Sequence, residues 1–232
     1  DQLMPLRKKA TDSVLSAWPI PRLWPDCIVL TGTGPFTATR PASIIGFITR
    51  GRTKHIGKTF TKLFFTGGRQ RRNDFELLAE IFKKVKAELG KRVEIYSVGE
   101  DYEPSRYALD GVVVNLGVFS DMNRLAEIYR DADIGVAFIS TPTYTYQHLE
   151  YMASGLGLVA NNQPGVSDFL KDGENAVLCP VFPSLAAAKI VELINNPDKL
   201  EKISKAGLAT VREFTWEKCF DGICDYIAGP KS

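Results

Sequence analysis

From Leu63 onward the chain alternates short apolar runs with longer stretches whose apolar residues recur at helical spacing. Strands are predicted at Leu63–Thr66, Val93–Val98, Val112–Leu116, Ile134–Ile139, Leu156–Ala160 and Ala176–Cys179. Helices are predicted at Asp74–Leu89, Asp121–Arg130, Tyr146–Ser154, just after Gly165, Leu185–Asn195, Pro197–Glu213 and Trp216–Ile227. Because this alternation requires crossover connections, it predicts an α/β fold with a Rossmann-like parallel sheet sandwiched by helices.

The predicted strands are continuously apolar rather than alternating, as in Val112–Val114 and Ile134–Ile139. Such strands are typical of a sheet that is buried on both faces. Sheets of this class bind ligands at the carboxyl ends of their strands. The positions expected there are Gly67, Gly68, Gly99, Gly117 and the loop of residues 140–145.

The first 61 residues have a different character, because prolines interrupt any long helix. These are Pro5, Pro19, Pro21, Pro25, Pro35 and Pro41. We expect residues 1–61 to be an irregular segment, a linker or the remnant of another domain, and residues 62–228 to form the regular domain. The basic stretch between Arg50 and Lys62 is interpreted as a solvated linker face.

Composition and charge exclude several classes of function. The chain has 232 residues with 44% hydrophobic residues and a net charge of +2, so it can bury a core but has no global field for nucleic acid. Four cysteines without a CxxC pair and only two histidines indicate no metal site. A reduced, cytoplasmic chain is expected, with a disulfide between Cys219 and Cys224 as the alternative, and no apolar run reaches membrane-spanning length.

The loop after the first predicted strand combines glycine with arginine. Gly67, Gly68 and Arg69 leave the strand, and Arg71 and Arg72 follow before the helix. Glycine allows close approach of the backbone to an anion, and guanidinium groups match a diphosphate bidentately. The spacing differs from a Walker loop and from a dinucleotide fingerprint, and a solvated basic loop is the alternative.

A second candidate is Glu150, which lies among apolar residues of a predicted helix. A buried carboxylate needs hydrogen-bond donors, and a pair of sugar hydroxyls would provide them. The alternative is a carboxylate favoured by the helix macrodipole. The loop before this helix is rich in proline, threonine and tyrosine and contains Thr143, Tyr144, Thr145 and Tyr146.

Several collinear strings between Leu63 and Tyr226 carry a family resemblance. They are Asn115–Gly117, Tyr129–Asp133, His148–Gly155, Val159–Ala160, Gly165, Asp168, Asp172–Gly173, Pro180 and Phe214–Trp216. Together they resemble the C-terminal domain of retaining family 4 glycosyltransferases of the GT-B fold. That resemblance implies a domain that binds a nucleotide sugar.

The resemblance also implies roles for individual residues. Gly68, Arg69 and Arg72 would hold the donor diphosphate, and Glu150 would bind the nucleotide ribose. The backbone at Gly117 and Val118 would lie close to the base, with Gly67, Gly99 and the Thr143–Thr145 loop also lining the donor site. Tyr146 would contact the sugar or a phosphate.

The chain departs from the family pattern at two positions, and the first departure bears on the identity of the donor sugar. Pro142 stands eight positions before Glu150, where the family usually has a second glutamate. Tyr146, four residues before Glu150, resembles the rhamnan-type rhamnosyltransferase branch, which implies a dTDP-rhamnose donor and no other cofactor. That branch has a lysine after the glycine of the third strand, where this chain has Val118.

The expected function is transfer of a sugar to a surface polysaccharide or glycan, in the cytoplasm or at the inner face of the membrane. Residues 1–61 are too few for the acceptor domain of this fold, so the sequence is expected to be part of a longer chain. A non-catalytic nucleotide- or partner-binding module of the same fold is the alternative. A sugar-phosphate isomerase of the related epimerase type is disfavoured because histidines are sparse.

Overall fold

The computed structural model describes residues 61–66, 72–139, 146–164 and 166–214, without the side chains of Phe64, Thr66, Arg72 and Asn73. Described residues 61–211 belong to one compact unit. The expected boundary at residue 228 and the helix Trp216–Ile227 lie outside the described residues. The domain limits therefore stay a prediction.

Six parallel strands form a single sheet in the order β3-β2-β1-β4-β5-β6. They are β1 Thr61–Thr66, β2 Val93–Val98, β3 Val114–Asn115, β4 Ile134–Ala137, β5 Gly157–Asn161 and β6 Val177–Cys179. In the centre of the sheet, Leu63 of β1 pairs with Ile95 of β2 on one side and with Ile134 of β4 on the other. The predicted parallel α/β sheet is confirmed.

Five α-helices flank the sheet in the described residues. They are α1 Arg72–Leu89, α2 Met122–Asp131, α3 Tyr146–Ala153, α4 Pro183–Ile194 and α5 Pro197–Val211. Helix α1 packs against α4, and α3 packs against α5. Since β1 leads to β2 in one direction and β4 leads to β5 in the other, right-handed crossovers place α1 and α3 on opposite faces.

The core lies between the sheet and these helices. Residues Phe75, Leu78, Ile81, Phe82 and Val85 form the buried face of α1, as its periodicity predicts, and Leu77 is half-buried. The ring of Phe82 lies 4.7 Å from that of Phe65 in β1, between centroids. Among the helices of the described residues, none is long and apolar enough for a bilayer crossing.

The structure corrects two sequence-based expectations. The third strand is only Val114–Asn115 rather than Val112–Leu116, and Val114 is 53% exposed. This strand lies at the edge of the sheet and has one neighbour, so its ladder is short and it is not buried on both faces. The segment after Gly165 forms turns instead of a short helix, because a few residues closed by the turn at Asp172–Gly173 cannot propagate a helical nucleus.

Candidate functional site

The strand order creates a crevice at the carboxyl edge of the sheet. Strands β1 and β4 are neighbours, yet the chain leaves β1 toward β2 and leaves β4 toward β5. Ligands of doubly wound sheets bind at this point of reversal, just beyond the carboxyl ends of the two strands. The loops that follow β1 and β4 in the sequence are therefore the candidates for the walls of the site.

Both of these loops fall outside the described residues. Residues 67–71 contain Gly67, Gly68 and Arg69, and residues 140–145 contain Thr143, Tyr144 and Thr145. Arg72 opens α1, but its side chain is also outside the description. The assignment of these residues to the donor diphosphate and sugar stays a prediction.

Glu150 is the best-defined candidate side chain on the β4 side of the crevice. It lies on α3, is only 9% exposed, and accepts a hydrogen bond at 3.3 Å from the hydroxyl of Tyr129 on α2. Burial raises the pKa of this carboxyl from 4.5 to about 7, and the bond from Tyr129 opposes the shift. At neutral pH the group therefore exists in both its charged and its neutral form.

Tyr146 begins the same helix, four residues before Glu150. Residues at this spacing share a helix face, so Tyr146 and Glu150 lie on one side of α3. The Tyr146 side chain is 43% exposed. Since α3 runs back from the carboxyl end of β4, its N-terminal turn presents an accessible phenol near the crevice while the carboxylate lies deeper.

His148 lies between these two residues in sequence and is fully buried. Its ring packs edge-on against Phe169, with 6.5 Å between centroids. His148 therefore contributes to the packing of α3.

On the other side of the crevice, Asn115 fixes the loops that follow β2 and β3. Its Oδ1 accepts from Ser97 Oγ at 3.0 Å and from the Gly117 amide at 3.2 Å. Its Nδ2 donates to the carbonyl oxygens of Glu100 and Tyr102, at 3.1 and 2.8 Å. One amide side chain therefore joins the two loops that carry Gly99 and Gly117.

The two glycines of these loops are also joined directly. The Gly99 amide donates to the Gly117 carbonyl oxygen at 2.9 Å, and both glycines have positive φ, 97° and 73°. That conformation is one that glycine adopts without strain. Val118, the next residue, is 68% exposed, so it contributes little to the core.

Asn161, at the end of β5, binds the backbone of the chain just after β4. Its Oδ1 accepts from the Ile139 amide and its Nδ2 donates to the Ile139 carbonyl oxygen, both at 2.8 Å. Asn161, Tyr129 and Asn115 are contacts that were not predicted from the sequence as parts of the site. For Asn161 and Asn115, the sequence signal was an asparagine at or near the end of an apolar strand. For Tyr129, it was a place within one of the strings that carry the family resemblance.

The described part of the chain contains no group of three or more His, Cys, Asp or Glu residues that could hold a metal ion. Cys179 is buried and unbonded to another cysteine, and burial raises the pKa of its thiol to about 12. A thiol of that pKa stays protonated and unreactive at neutral pH. The other three cysteines lie outside the described residues.

Comparison with known proteins decides the family. The model of the family "Glycosyl transferases group 1" matches residues 61–196, which include all six strands and the crevice. The chain belongs to this glycosyltransferase family. The O-antigen biosynthesis protein RfbC of Myxococcus xanthus is 32% identical over 164 residues, which are 70% of this chain and 13% of that protein.

A second curated relative is the D-inositol 3-phosphate glycosyltransferase of Segniliparus rotundus. It is 25% identical over 156 residues, which cover 63% of this chain and 35% of that enzyme. The glycosyltransferase chain thus spans about a third or less of the length of these two relatives.

Solved structures agree on the fold. The C-terminal domain of LpcC, a group 1 glycosyl transferase of Francisella tularensis, has a TM-score of 0.55 at 21% identity, covering 66% of this chain and 85% of that one. Anabaena HepE, in complex with UDP and glucose, has a TM-score of 0.60 at 17% identity, covering 74% of this chain and 49% of that one. These similarities show a GT-B-type Rossmann-like domain.

Proposed function

We propose that this glycosyltransferase chain is the domain that binds the nucleotide-sugar donor, and that the complete enzyme transfers the sugar to a surface polysaccharide or another glycan. The observation that supports this most is the reversal of strand order between β1 and β4. The arginine-rich loop follows β1, and the helix carrying Tyr146 and Glu150 follows β4. The residues that bind the diphosphate and those that bind the ribose would then face a single crevice.

The proposed donor is a dTDP sugar, with L-rhamnose as the sugar. The basis is the sequence pattern around Glu150, where Pro142 replaces a carboxylate and Tyr146 precedes Glu150 by one helical turn. Similarity to an O-antigen biosynthesis protein supports a surface polysaccharide as the acceptor. The proposed location is the cytoplasm, with contact to the inner face of the membrane.

The proposed chemistry is dissociative transfer of the glycosyl group. Positive charge develops on the sugar ring as its bond to the diphosphate breaks, and Arg69 and Arg72 stabilise the negative charge on the departing diphosphate. Glu150 accepts hydrogen bonds from the ribose and so holds the donor in place. Tyr146 contacts the sugar or a phosphate, and in this scheme the arginines take the place of a metal.

Because the chain covers only part of its relatives, the acceptor site is proposed to lie in another domain of the complete protein. We place that domain at the carboxyl edge of the sheet, where ligands of doubly wound sheets bind. The accessible Tyr146 and Val118 would then border the space between the two domains.

Calorimetric titration of the 232-residue chain with dTDP and UDP tests the donor site. We expect binding of both, with higher affinity for dTDP, and loss of at least about tenfold in affinity for Arg69→Ala, since each charge-assisted contact contributes roughly 1.5–3 kcal/mol. Arg92→Ala is the matched control, because Arg92 precedes β2 at the opposite edge and donates to Asn195. Absence of nucleotide binding by the wild type would refute the proposal.

A non-catalytic binding module is a second candidate function, favoured by Pro142 in place of the family's other glutamate. Such a module would bind the nucleotide but would not transfer the sugar. Turnover of dTDP-rhamnose by the complete protein, measured as dTDP released in the presence of acceptor, separates the two. Release that depends on acceptor excludes the module.

A further inference from the structure

Asn115 ends the shortest strand of the sheet, and its side-chain amide uses its full hydrogen-bonding capacity. β3 consists of Val114 and Asn115 alone and lies at the edge of the sheet, so its backbone ladder is short. The half-buried Asn115 side chain accepts two hydrogen bonds through Oδ1 and donates two through Nδ2, at 2.8 to 3.2 Å. The four partners are Ser97 Oγ, the Gly117 amide and the carbonyl oxygens of Glu100 and Tyr102.

These partners connect the two loops that follow β2 and β3. Glu100 and Tyr102 lie in the loop after β2, and Gly117 lies in the loop after β3. Loop backbone groups have no strand ladder to satisfy them, so a side chain that binds them takes the place of a strand partner. The bond from the Gly99 amide to the Gly117 carbonyl oxygen adds a direct link. The backbone of residues 99–102 and 116–118 is therefore held together as one unit, called here the joined loops.

Only asparagine can make these four bonds among residues of its size. Aspartate accepts from the hydroxyl and the amide, but when charged it has no hydrogen for the two carbonyl oxygens and places a negative charge beside them. Serine or threonine has a single hydrogen to donate, and alanine leaves all four groups without this partner. The joined loops therefore depend on the amide of Asn115.

The joined loops lie at the ligand-binding edge of the sheet. Strands β1, β2 and β3 are consecutive neighbours, and adjacent strands lie about 4.8 Å apart. The carboxyl end of β3 is therefore roughly 10 Å from that of β1. A nucleoside diphosphate is longer than this distance. A nucleotide whose diphosphate binds beyond β1 can therefore reach the backbone of Gly117 and Val118.

We propose that Asn115 is a positioning residue, which holds the joined loops in the arrangement that the nucleoside of the donor contacts and thereby sets the affinity for the nucleotide. This inference rests on the proposed function, in which the chain binds a nucleotide sugar at this edge. Asn115 does not touch the ligand in this scheme. It acts through the backbone of both loops, so its loss lets them separate and displaces the surface that the nucleoside contacts.

The chain offers a matched control for a purely structural role. Asn175 also binds loop backbone through its side chain, which accepts from the Lys171 amide and donates to the Phe169 carbonyl oxygen, each at 2.8 Å. It precedes β6 and so lies at the amino edge of the sheet, opposite the crevice. Removing either asparagine breaks contacts to loop backbone, but only Asn115 lies at the ligand-binding edge.

The test compares Asn115→Ala, Asn115→Asp and Asn175→Ala with the wild type in the 232-residue chain. Thermal unfolding is measured first, and the Kd for dTDP is then measured by calorimetry well below each melting temperature. We expect all three variants to melt earlier. Both Asn115 variants should bind dTDP at least about tenfold more weakly, because displacement of a contact by about 1 Å costs up to roughly a hundredfold. Asn175→Ala should bind dTDP as the wild type does.

Amide chemical shifts, followed by NMR during titration of the wild type with dTDP, provide a readout that a loss of stability does not change. The signals of Gly117 and Val118 should shift with the same saturation curve that calorimetry gives. The signals of Lys171 and Asn175, at the amino edge, should stay in place. Should an Asn115 variant fail to fold, the other variant and this titration still test the proposal.

Normal dTDP affinity in a folded Asn115 variant overturns the positioning role, and so does an equal loss of affinity in Asn175→Ala. Binding of dTDP to the wild type without shifts at Gly117 and Val118 overturns it as well. Each of these results leaves the proposed function intact. If the wild type itself binds neither dTDP nor UDP, the proposed function is refuted and this inference with it.

Discussion

At the scale of single residues, Glu150 is a carboxylate on a helix whose residues are mostly buried. It is almost fully buried, and its described hydrogen bond from Tyr129 is long, at 3.3 Å. Burial raises its pKa from 4.5 to about 7 because the charged form loses its hydration. Ligand hydroxyls that donate to the carboxylate would restore part of that hydration, so ligand binding and ionisation should be coupled.

The raised pKa predicts how Glu150 affects stability. Between pH 4.5 and about 7 the folded state holds a proton that the unfolded state has released, so the contribution of Glu150 falls as pH rises and is lost above about pH 7. Glu150→Gln removes this loss and should be more stable than the wild type at pH 8, by on the order of 1–3 kcal/mol. The difference should disappear near pH 4.5 in urea denaturation, and a difference that is independent of pH would contradict this account.

The same pKa predicts that nucleotide affinity depends on pH. If the ribose donates to a charged Glu150, the Kd for dTDP should fall as pH rises from 6 to 8, because the competent form becomes fully populated only above the pKa of about 7. Binding should release protons, which calorimetry detects as a dependence of the measured heat on the ionisation enthalpy of the buffer. In Glu150→Gln the pH dependence and the proton release should both be smaller, because only the titration of the terminal phosphate of dTDP remains.

Tyr129 should tune this dependence. Its hydroxyl stabilises the charged carboxylate, so Tyr129→Phe should raise the pKa of Glu150 further and move the midpoint of dTDP binding to higher pH. We expect about tenfold weaker binding at pH 7, since a hydrogen bond to a charged group contributes roughly 1.5–3 kcal/mol. Tyr96→Phe is the control, because Tyr96 donates to Glu94 on β2, away from Glu150. Equal midpoints for Tyr129→Phe and the wild type would argue against the role of the hydroxyl.

At the scale of elements, the position of α3 depends on a close approach to β4. A Cβ on Gly135 would lie 2.4 Å from the ring of Tyr151, and Tyr151 is fully buried beside Glu150. Gly135→Ala must therefore displace the ring and the helix, and we expect a loss of about 1–3 kcal/mol in the free energy of unfolding. Gly207→Ala is a milder control, because its nearest contacts are at 3.3 and 3.4 Å. Chemical denaturation of both variants measures the difference.

The periodic elements were predictable because their signals are local. Helix α1 follows from its apolar spacing, and α2 begins where Asp121 caps it by accepting from the Asn123 amide. The predicted length of β3 was wrong, because three consecutive valines do not reveal that the strand lies at the edge of the sheet. The number of neighbours that a strand has depends on contacts far along the chain, which periodicity does not encode.

The candidate site was predictable to a similar degree. Glycines and arginines after strands have recognisable chemistry, and sequence placed Gly99 and Gly117 at the carboxyl edge, where a hydrogen bond now joins them. Asn161 and Asn115 act through backbone groups that only the folded chain brings near. Their amides have no distinctive spacing, because the partner of Asn161 is Ile139, in the preceding strand-loop segment. Side-chain contacts of this kind are found only in the folded structure.

At the scale of the whole molecule, the order β3-β2-β1-β4-β5-β6 brings together segments that are far apart in sequence. The arginine loop and the Glu150 helix are separated by some eighty residues, yet they follow adjacent strands. A ligand that spans the crevice should therefore couple the two halves of the sheet. Such a ligand should raise the free energy of unfolding more than parts of the ligand that reach only one of the two segments.

This coupling predicts the thermal response of the intact chain. At a dTDP concentration about a hundredfold above its Kd, binding should add roughly 2.7 kcal/mol of stability. For a chain of this size each kcal/mol raises the melting temperature by about 2–4 °C, so a rise of several degrees is expected. Thymidine and pyrophosphate, added singly or together, should raise it less, because neither alone bridges the arginine loop and Glu150. A full rise with pyrophosphate alone would show that the Glu150 wall takes no part in binding.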